Sequence, residues 1–294
     1  MIFQTAEPTE SPVAGPRPAA GTMGCMARYA LRSGALPRMP MLLAFTAKVH
    51  GALCALSDTG KGSSPTFSGR SAAGTPLRRH EHAYLFCDAA GHDDAITHLY
   101  VWAGEDLDAQ ALIALTRLSK VWGYGGPDVY LRLEGIGQAE VLAPAALLGP
   151  AQEWAAYTPF ISSRHAKTYR DGRAKHDPHN GLLIGSAPHE LARLLALDQR
   201  FAGAAIRAVQ DDHPFRYGTS RHAPGAFRTA RTDRGGTRGE SHGWAFTIRF
   251  PQPVAGPIAL GFGAHFGLGM FRAVEPKEVN GATLSPSNHI PSRS

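Results

Sequence analysis

Two histidines stand two residues apart in the segment LRRHEHAYLF: His80 and His82, directly after Arg78 and Arg79. At the start of a strand, positions two apart point to the same face. An imidazole can take a proton from a hydroxyl and return one to a leaving group. Neighbouring guanidinium groups can hold a phosphate and stabilise charge developing on it. The bland alternative is a pair of surface or packing histidines, which a chain with 14 histidines produces readily. Metal binding through the pair is disfavoured, since no third ligand lies at a recognisable spacing.

A second group is the glycine-rich run GPIALGFGAHFGLGMF, with Gly261, Gly263, Gly267 and Gly269 crowded after a strand-like stretch. Glycines there let backbone N–H groups approach a phosphate with no Cβ in the way. The spacing fits neither a P-loop nor a dinucleotide fingerprint. Phe262, His265 and Phe266 interleave with the glycines, which suits stacking on a single strand. The competing reading is a tightly packed turn.

Two basic stretches complete the set. In FISSRHAKTYRDGRAKH, Arg164, Lys167, Arg170, Arg173 and Lys175 face only Asp171, with His165 and Tyr169 interleaved. In Arg216–Gly243, Arg216, Arg221, Arg228, Arg231, Arg234 and Arg238 stand against two acids, Asp233 and Glu240. Charge runs are usually solvated surface; two of them with aromatic or glycine interleaving favour a surface that tracks phosphates. No nucleophile elbow, kinase signature or H-E-x-x-H motif is present. The carboxylates are scattered rather than clustered for two metal ions. Phosphodiester cleavage by this chain would therefore be metal-independent, and no cofactor is expected.

The elements that must position these residues follow from periodicity. A short strand at Tyr29–Ser33 precedes a helix whose Leu42, Phe45, Val49, Leu53 and Leu56 form an apolar stripe. His82–Ala89 and Ile96–Gly104 read as a hairpin, Asp106–Gly123 as a capped helix and Asp128–Gly135 as a strand. The order β-α-β-β-α-β is the ferredoxin-like arrangement, also the scaffold of the RNA-recognition motif. A second such unit is expected from Ala155–Ser162, His189–Leu197, Gly203–Val209, Trp244–Phe250 and Ile258–Phe262, with Arg216–Gly243 an irregular loop. The fold class expected is thus α+β, tandem ferredoxin-like domains over 28–140 and 150–275, between flexible segments 1–27 and 276–294.

Composition sets the outer limits. Of 294 residues, 43% are apolar and 18% charged, enough for a core and too little charge for a disordered chain. The net charge of +6 suits a polyanionic partner, and only six of the 30 basic residues are lysines. Arginine binds phosphate in two places and stacks on bases, although a GC-rich genome also writes Arg for Lys. Cys25, Cys54 and Cys87 form no C-x-x-C pair, which argues against a disulfide framework or zinc ribbon. With no secretory signal and no long uninterrupted apolar stretch, a cytoplasmic protein without a membrane partner is expected.

Four blocks carry a resemblance: FSGRSAAGTPLRRHEHAYLF, ITHLYVWAGEDLDAQALIALTRLSKVWG, YTPFISSRHAK and PVAGPIALGFGAHFGLGMF. In this order, over about residues 29–274, the chain resembles the CRISPR-associated type I-U (I-G) repeat-RNA processing proteins, where this region is the C-terminal half of a fusion. The resemblance implies tandem ferredoxin-like domains of the repeat-associated mysterious protein (RAMP) superfamily. It also implies antiviral defence by cleavage of precursor CRISPR RNA within the repeat, through 2′-OH attack. His80 or His82 would then be base or acid, with Arg79 stabilising the phosphorane. Arg164, His165, Lys167, Arg231, Arg234 and the Gly261–Gly269 loop, with His265, would hold the repeat RNA. Partners would be precursor and guide RNA and other effector subunits. A non-catalytic guide-RNA-binding subunit is the alternative, and a two-histidine cyclic phosphoesterase a third.

Overall fold

Alternation along the early strands decides how the first half packs. In the computed structural model, which describes residues 2–4, 24–60, 62–71, 74–77, 82–91, 93–121, 127–227 and 242–275, strand β1 (Cys25–Arg32) sends Ala27, Tyr29 and Leu31 to one face. That face is covered by α1 (Leu42–Ser57) and α2 (Ala109–Arg117), and the Tyr29 hydroxyl donates to the Leu115 carbonyl at 2.6 Å. With β2 (Tyr84–Asp88), β3 (His98–Ala103) and β4 (Val129–Gln138) the sheet order is β2-β3-β1-β4, all antiparallel, and Lys120–Val121 adds an edge beside β4. Ferredoxin-like topology requires this order.

The second half repeats it. Strands β5 (Ala151–Ala156), β6 (Ala205–Ala208), β7 (Phe246–Val254) and β8 (Met270–Ala273) lie in the order β6-β7-β5-β8, again antiparallel. Helix α3 (Ala187–Leu195) follows the first of them and buries Ala187, Leu191 and Leu195 against Trp154, Ile206, Phe246 and Ile248. Where a second helix belongs, between β7 and β8, stand the two-residue edge strand Ile258–Ala259 and a turn at Ala264–Phe266. Glycine costs roughly 1 kcal/mol in a helix relative to alanine, and Gly261, Gly263, Gly267 and Gly269 all have positive φ. A helix cannot form from that run.

The tandem ferredoxin-like expectation therefore holds, with specific departures. Strand β1 begins at Cys25, four residues before the expected Tyr29 and inside the segment read as flexible lead-in, because both of its neighbours pair with it from there. Ile2–Gln4, in the same lead-in, pairs with β6 as an edge strand. The run expected as one strand over Ala155–Ser162 is broken: Tyr157 and Thr158 both donate backbone N–H to the Met270 carbonyl, and Phe160–Ile161 pairs separately with Gly243–Trp244. The strand that completes the second sheet is Met270–Ala273, and Ile258–Ala259 is only its edge. Within the expected Arg/Gly loop, Phe215–Tyr217 and Ser220–His222 form a hairpin that buries Phe215 and Tyr217 in the first core. Residues 228–241 and the tail 276–294 lie outside the described residues.

The other face of the first sheet is partly covered. Met26, Tyr84, Phe86 and Tyr100 pack against Leu147, Leu148, Ala264 and Met270 of the second half. These sheet rings, which an RNA-recognition motif would offer to bases, are here consumed in joining the two halves. Helix α1 with its preceding turn, Met39–Ser57, is long and apolar enough to cross a membrane by length and composition alone, but its apolar run is interrupted by Thr46, Lys48 and His50, and its Leu42, Leu43, Val49 and Leu53 are buried in the first core.

A Cβ on Gly267 would lie 2.8 Å from the Leu85 carbonyl oxygen, at φ +85°. Gly267→Ala is expected to lower stability by about 2–4 kcal/mol. Gly137→Ala in β4, where nothing lies within 4 Å, should stay within about 0.5 kcal/mol. Urea unfolding midpoints of the two variants check this.

Candidate active site

The glycine-rich loop docks on the first half of the chain. The Thr46 hydroxyl of α1 donates to the Phe266 carbonyl at 2.9 Å, and Thr158 donates to the Gly267 carbonyl at 2.7 Å. Phe266 meets the His50 ring edge-on at 5.1 Å, and Phe262 packs on the first core. Both phenyl rings thus serve packing rather than base stacking.

Docking brings His265 to the start of β2. Side chains two apart on a strand are separated by about 7 Å, room for one flat ring between them. The His265 imidazole lies 3.5 Å from the His82 ring at 15° and 3.9 Å from the Tyr84 ring at 28°, centroid to centroid. Its Nδ1 stands 3.2 Å from the Ala83 carbonyl oxygen. A carbonyl only accepts, so Nδ1 carries the hydrogen and the lone pair of the neutral ring sits on Nε2. Burial pushes the Tyr84 hydroxyl above its ordinary range, with Arg200 opposing, so it stays protonated. Both imidazoles are half-buried. One of the rings protonated and the other neutral would supply a general acid and a general base at one place.

Not every candidate residue joins this pair. His80, Arg79, Arg231 and Arg234 lie outside the described residues. The four glycines do not form an open cradle. A Cβ on Gly269 would lie 1.9 Å from the Leu260 carbonyl oxygen, and one on Gly261 2.7 Å from that of Ile161. The amides of Phe262, Ala264, Phe266, Gly267, Leu268 and Gly269 all donate to carbonyls inside the protein. The glycines are there because the turn requires positive φ and close backbone packing; spacing alone does not separate that need from phosphate binding.

Arg164, His165 and Lys167 are exposed on an irregular ribbon that leaves the fold after Ile161, whose carbonyl accepts the Phe262 amide three residues before His265. Arg164 is not simply available for RNA. Its Nε lies 3.1 Å from Glu190, which is fully buried and also holds both Arg193 (2.8 and 2.9 Å) and the Ser163 hydroxyl (3.0 Å). Burial alone would raise the Glu190 pKa; hydrogen bonds from Arg193 and Ser163 and the charges of Arg193 and Arg164 outweigh it and hold the carboxyl below its ordinary range. Sequence reasoning missed this anchor, although the signal was present: Glu190 interrupts the apolar stripe of APHELARLL. Among the described residues, no group of three or more His, Cys, Asp or Glu side chains could hold a metal ion.

No family model and no curated protein matches the chain. Among solved structures, "CRISPR associated protein Cas6" is similar at 10% identity and a TM-score of 0.40, covering 86% of this chain and 100% of that one. "An RAMP protein binding different RNA substrates" is similar at 12% identity and a TM-score of 0.39, covering 85% and 100%. At those values the likeness concerns overall fold, which the strand orders establish on their own.

Glu190→Gln is expected to lower stability at pH 7 by about 2 kcal/mol, since it leaves two guanidinium groups with a weaker acceptor. A carboxyl depressed in the folded state contributes stability above its unfolded value and loses it as pH falls through the folded one. The difference between wild type and variant should therefore narrow below about pH 4.5, in unfolding curves measured from pH 7 downward.

Proposed function

We propose that the protein is a metal-independent endoribonuclease that cleaves precursor CRISPR RNA within the repeat. The observation that carries the reading is the stacked pair His82–His265, formed where the early hairpin meets the C-terminal loop. The sequence resemblance supplies the substrate, and the exposed basic ribbon rooted beside the same loop suits a polyanion.

In the proposed reaction one imidazole removes the proton of a ribose 2′-OH, and that oxygen attacks the adjacent phosphorus in line. The second imidazole protonates the departing 5′-oxygen. The products are a 2′,3′-cyclic phosphate and a 5′-OH, with one proton taken and one returned. With its Nδ1 hydrogen directed to Ala83, the neutral His265 ring would act through Nε2. His80 and Arg79 remain part of the proposal, as a further proton carrier and a phosphorane partner. His165 and Lys167 would contact phosphates; Arg164 would hold the ribbon in place. Other effector subunits and the guide RNA are proposed partners.

The test is a labelled repeat RNA incubated with the protein in EDTA. Cleavage to cyclic-phosphate ends is expected, blocked by a 2′-deoxy substitution at the scissile nucleotide, with His82→Ala and His265→Ala each costing about 10²–10⁴-fold in rate. Rate against pH should be bell-shaped, since both protonation states are required. Tight binding of intact RNA without cleavage would replace the enzyme by a guide-RNA-binding subunit.

A further inference from the structure

The ribbon 163–185 is more ordered than a solvated charge run needs to be. Its backbone forms a ladder: Lys175 N–H donates to the Lys167 carbonyl, Lys167 N–H to that of Ile184, Ile184 N–H to that of Lys175, and Tyr169 N–H to that of Arg173, all within 3.0 Å. At its root Glu190 clamps Ser163 and Arg164, and Gly185, at φ +81°, has no space for a Cβ, which would meet the His165 carbonyl oxygen at 2.1 Å. A His189–Asp177 contact at 3.3 Å and the buried Leu182 fix the returning strand. The result is a held projection whose outer residues, 163–176, are exposed throughout.

On it sits Tyr169, 49% exposed. Arg173 and Lys175 place their charges 5.6 and 5.5 Å from its ring centroid. Asp171 engages Arg173 at 2.7 Å and fixes the tip. An exposed aromatic face beside cations offers two things at once: a surface for an unstacked base and charge for the phosphates flanking it. A duplex has its bases already stacked and presents no free face to such a ring.

We propose that this ribbon is a single-strand RNA finger, with Tyr169 the stacking platform and Arg173 and Lys175 the flanking phosphate contacts. The proposal rests on the RNA reading above and adds to it a strand preference and a residue set separate from the histidine pair. In the bound state one base lies on the Tyr169 ring, and a cation now over the ring moves to the adjacent phosphate.

The experiment uses the full chain with 2′-deoxy-blocked oligonucleotides, so that binding is read without cleavage. Fluorescence anisotropy would compare a single-stranded RNA carrying 2-aminopurine with an RNA duplex. Tyr169→Ala should weaken single-strand binding about tenfold, within the range of a lost base stack, and leave duplex binding within about twofold. Quenching of 2-aminopurine should be lost, and Tyr169→Trp should restore both. Lys175→Ala should flatten the salt slope by about 0.7. Unchanged single-strand affinity in Tyr169→Ala, or an equal loss on duplex, overturns the finger while leaving the RNA reading intact. Failure of the wild type to bind either RNA overturns both.

Discussion

The contact on which the candidate site depends is the close approach of the C-terminal turn to the first sheet. At Gly267 the backbone lies so near Leu85 and Leu42 that no side chain fits. Two hydroxyls, from Thr46 in the first half and Thr158 in the second, take the carbonyls of Phe266 and Gly267. Without that seating His265 has no reason to stand between His82 and Tyr84. The chemistry proposed is therefore a property of the packing between halves, and loss of packing and loss of activity should be separable only by substituting the imidazoles themselves.

The same packing takes out of play the sheet face that an isolated RNA-recognition motif would use. The rings Tyr84, Phe86 and Tyr100 lie on the sheet face that would stack bases in an isolated domain, yet they are between 0% and 9% exposed. Joining two ferredoxin-like units through that face removes it from solvent. Under the proposed function a nucleic acid would be met by other parts of the chain, and the exposed cation-rich ribbon is the part proposed for it.

Much of the first unit was legible because its period changes cleanly, from alternation in HLYVWA to a 3.6-residue stripe in LLAFTAKVHGALCAL. The second unit was harder. Its final helix is missing, and the glycines that replace it look alike in sequence whether they admit a phosphate or a neighbouring carbonyl. The strand ending at Ser162 was misread because YTPF is apolar enough to continue a strand, while Thr158 instead turns to take the backbone of Met270. The Arg/Gly reading counted arginines and passed over Phe215 and Tyr217, whose alternation with Arg216 marks a buried hairpin.

Histidine pairing shows the limit of spacing arguments most sharply. His80 and His82 drew attention as neighbours in sequence, but the partner that His82 meets lies 183 positions on, in a loop read as a phosphate cradle. What brings the two together is the space between the His82 and Tyr84 rings just ahead of and at the start of β2, which the flat His265 ring fills. Stacked at 3.5 Å, two imidazoles would repel each other if both were charged. The proposed general acid–base chemistry would use one of the two rings charged and the other neutral.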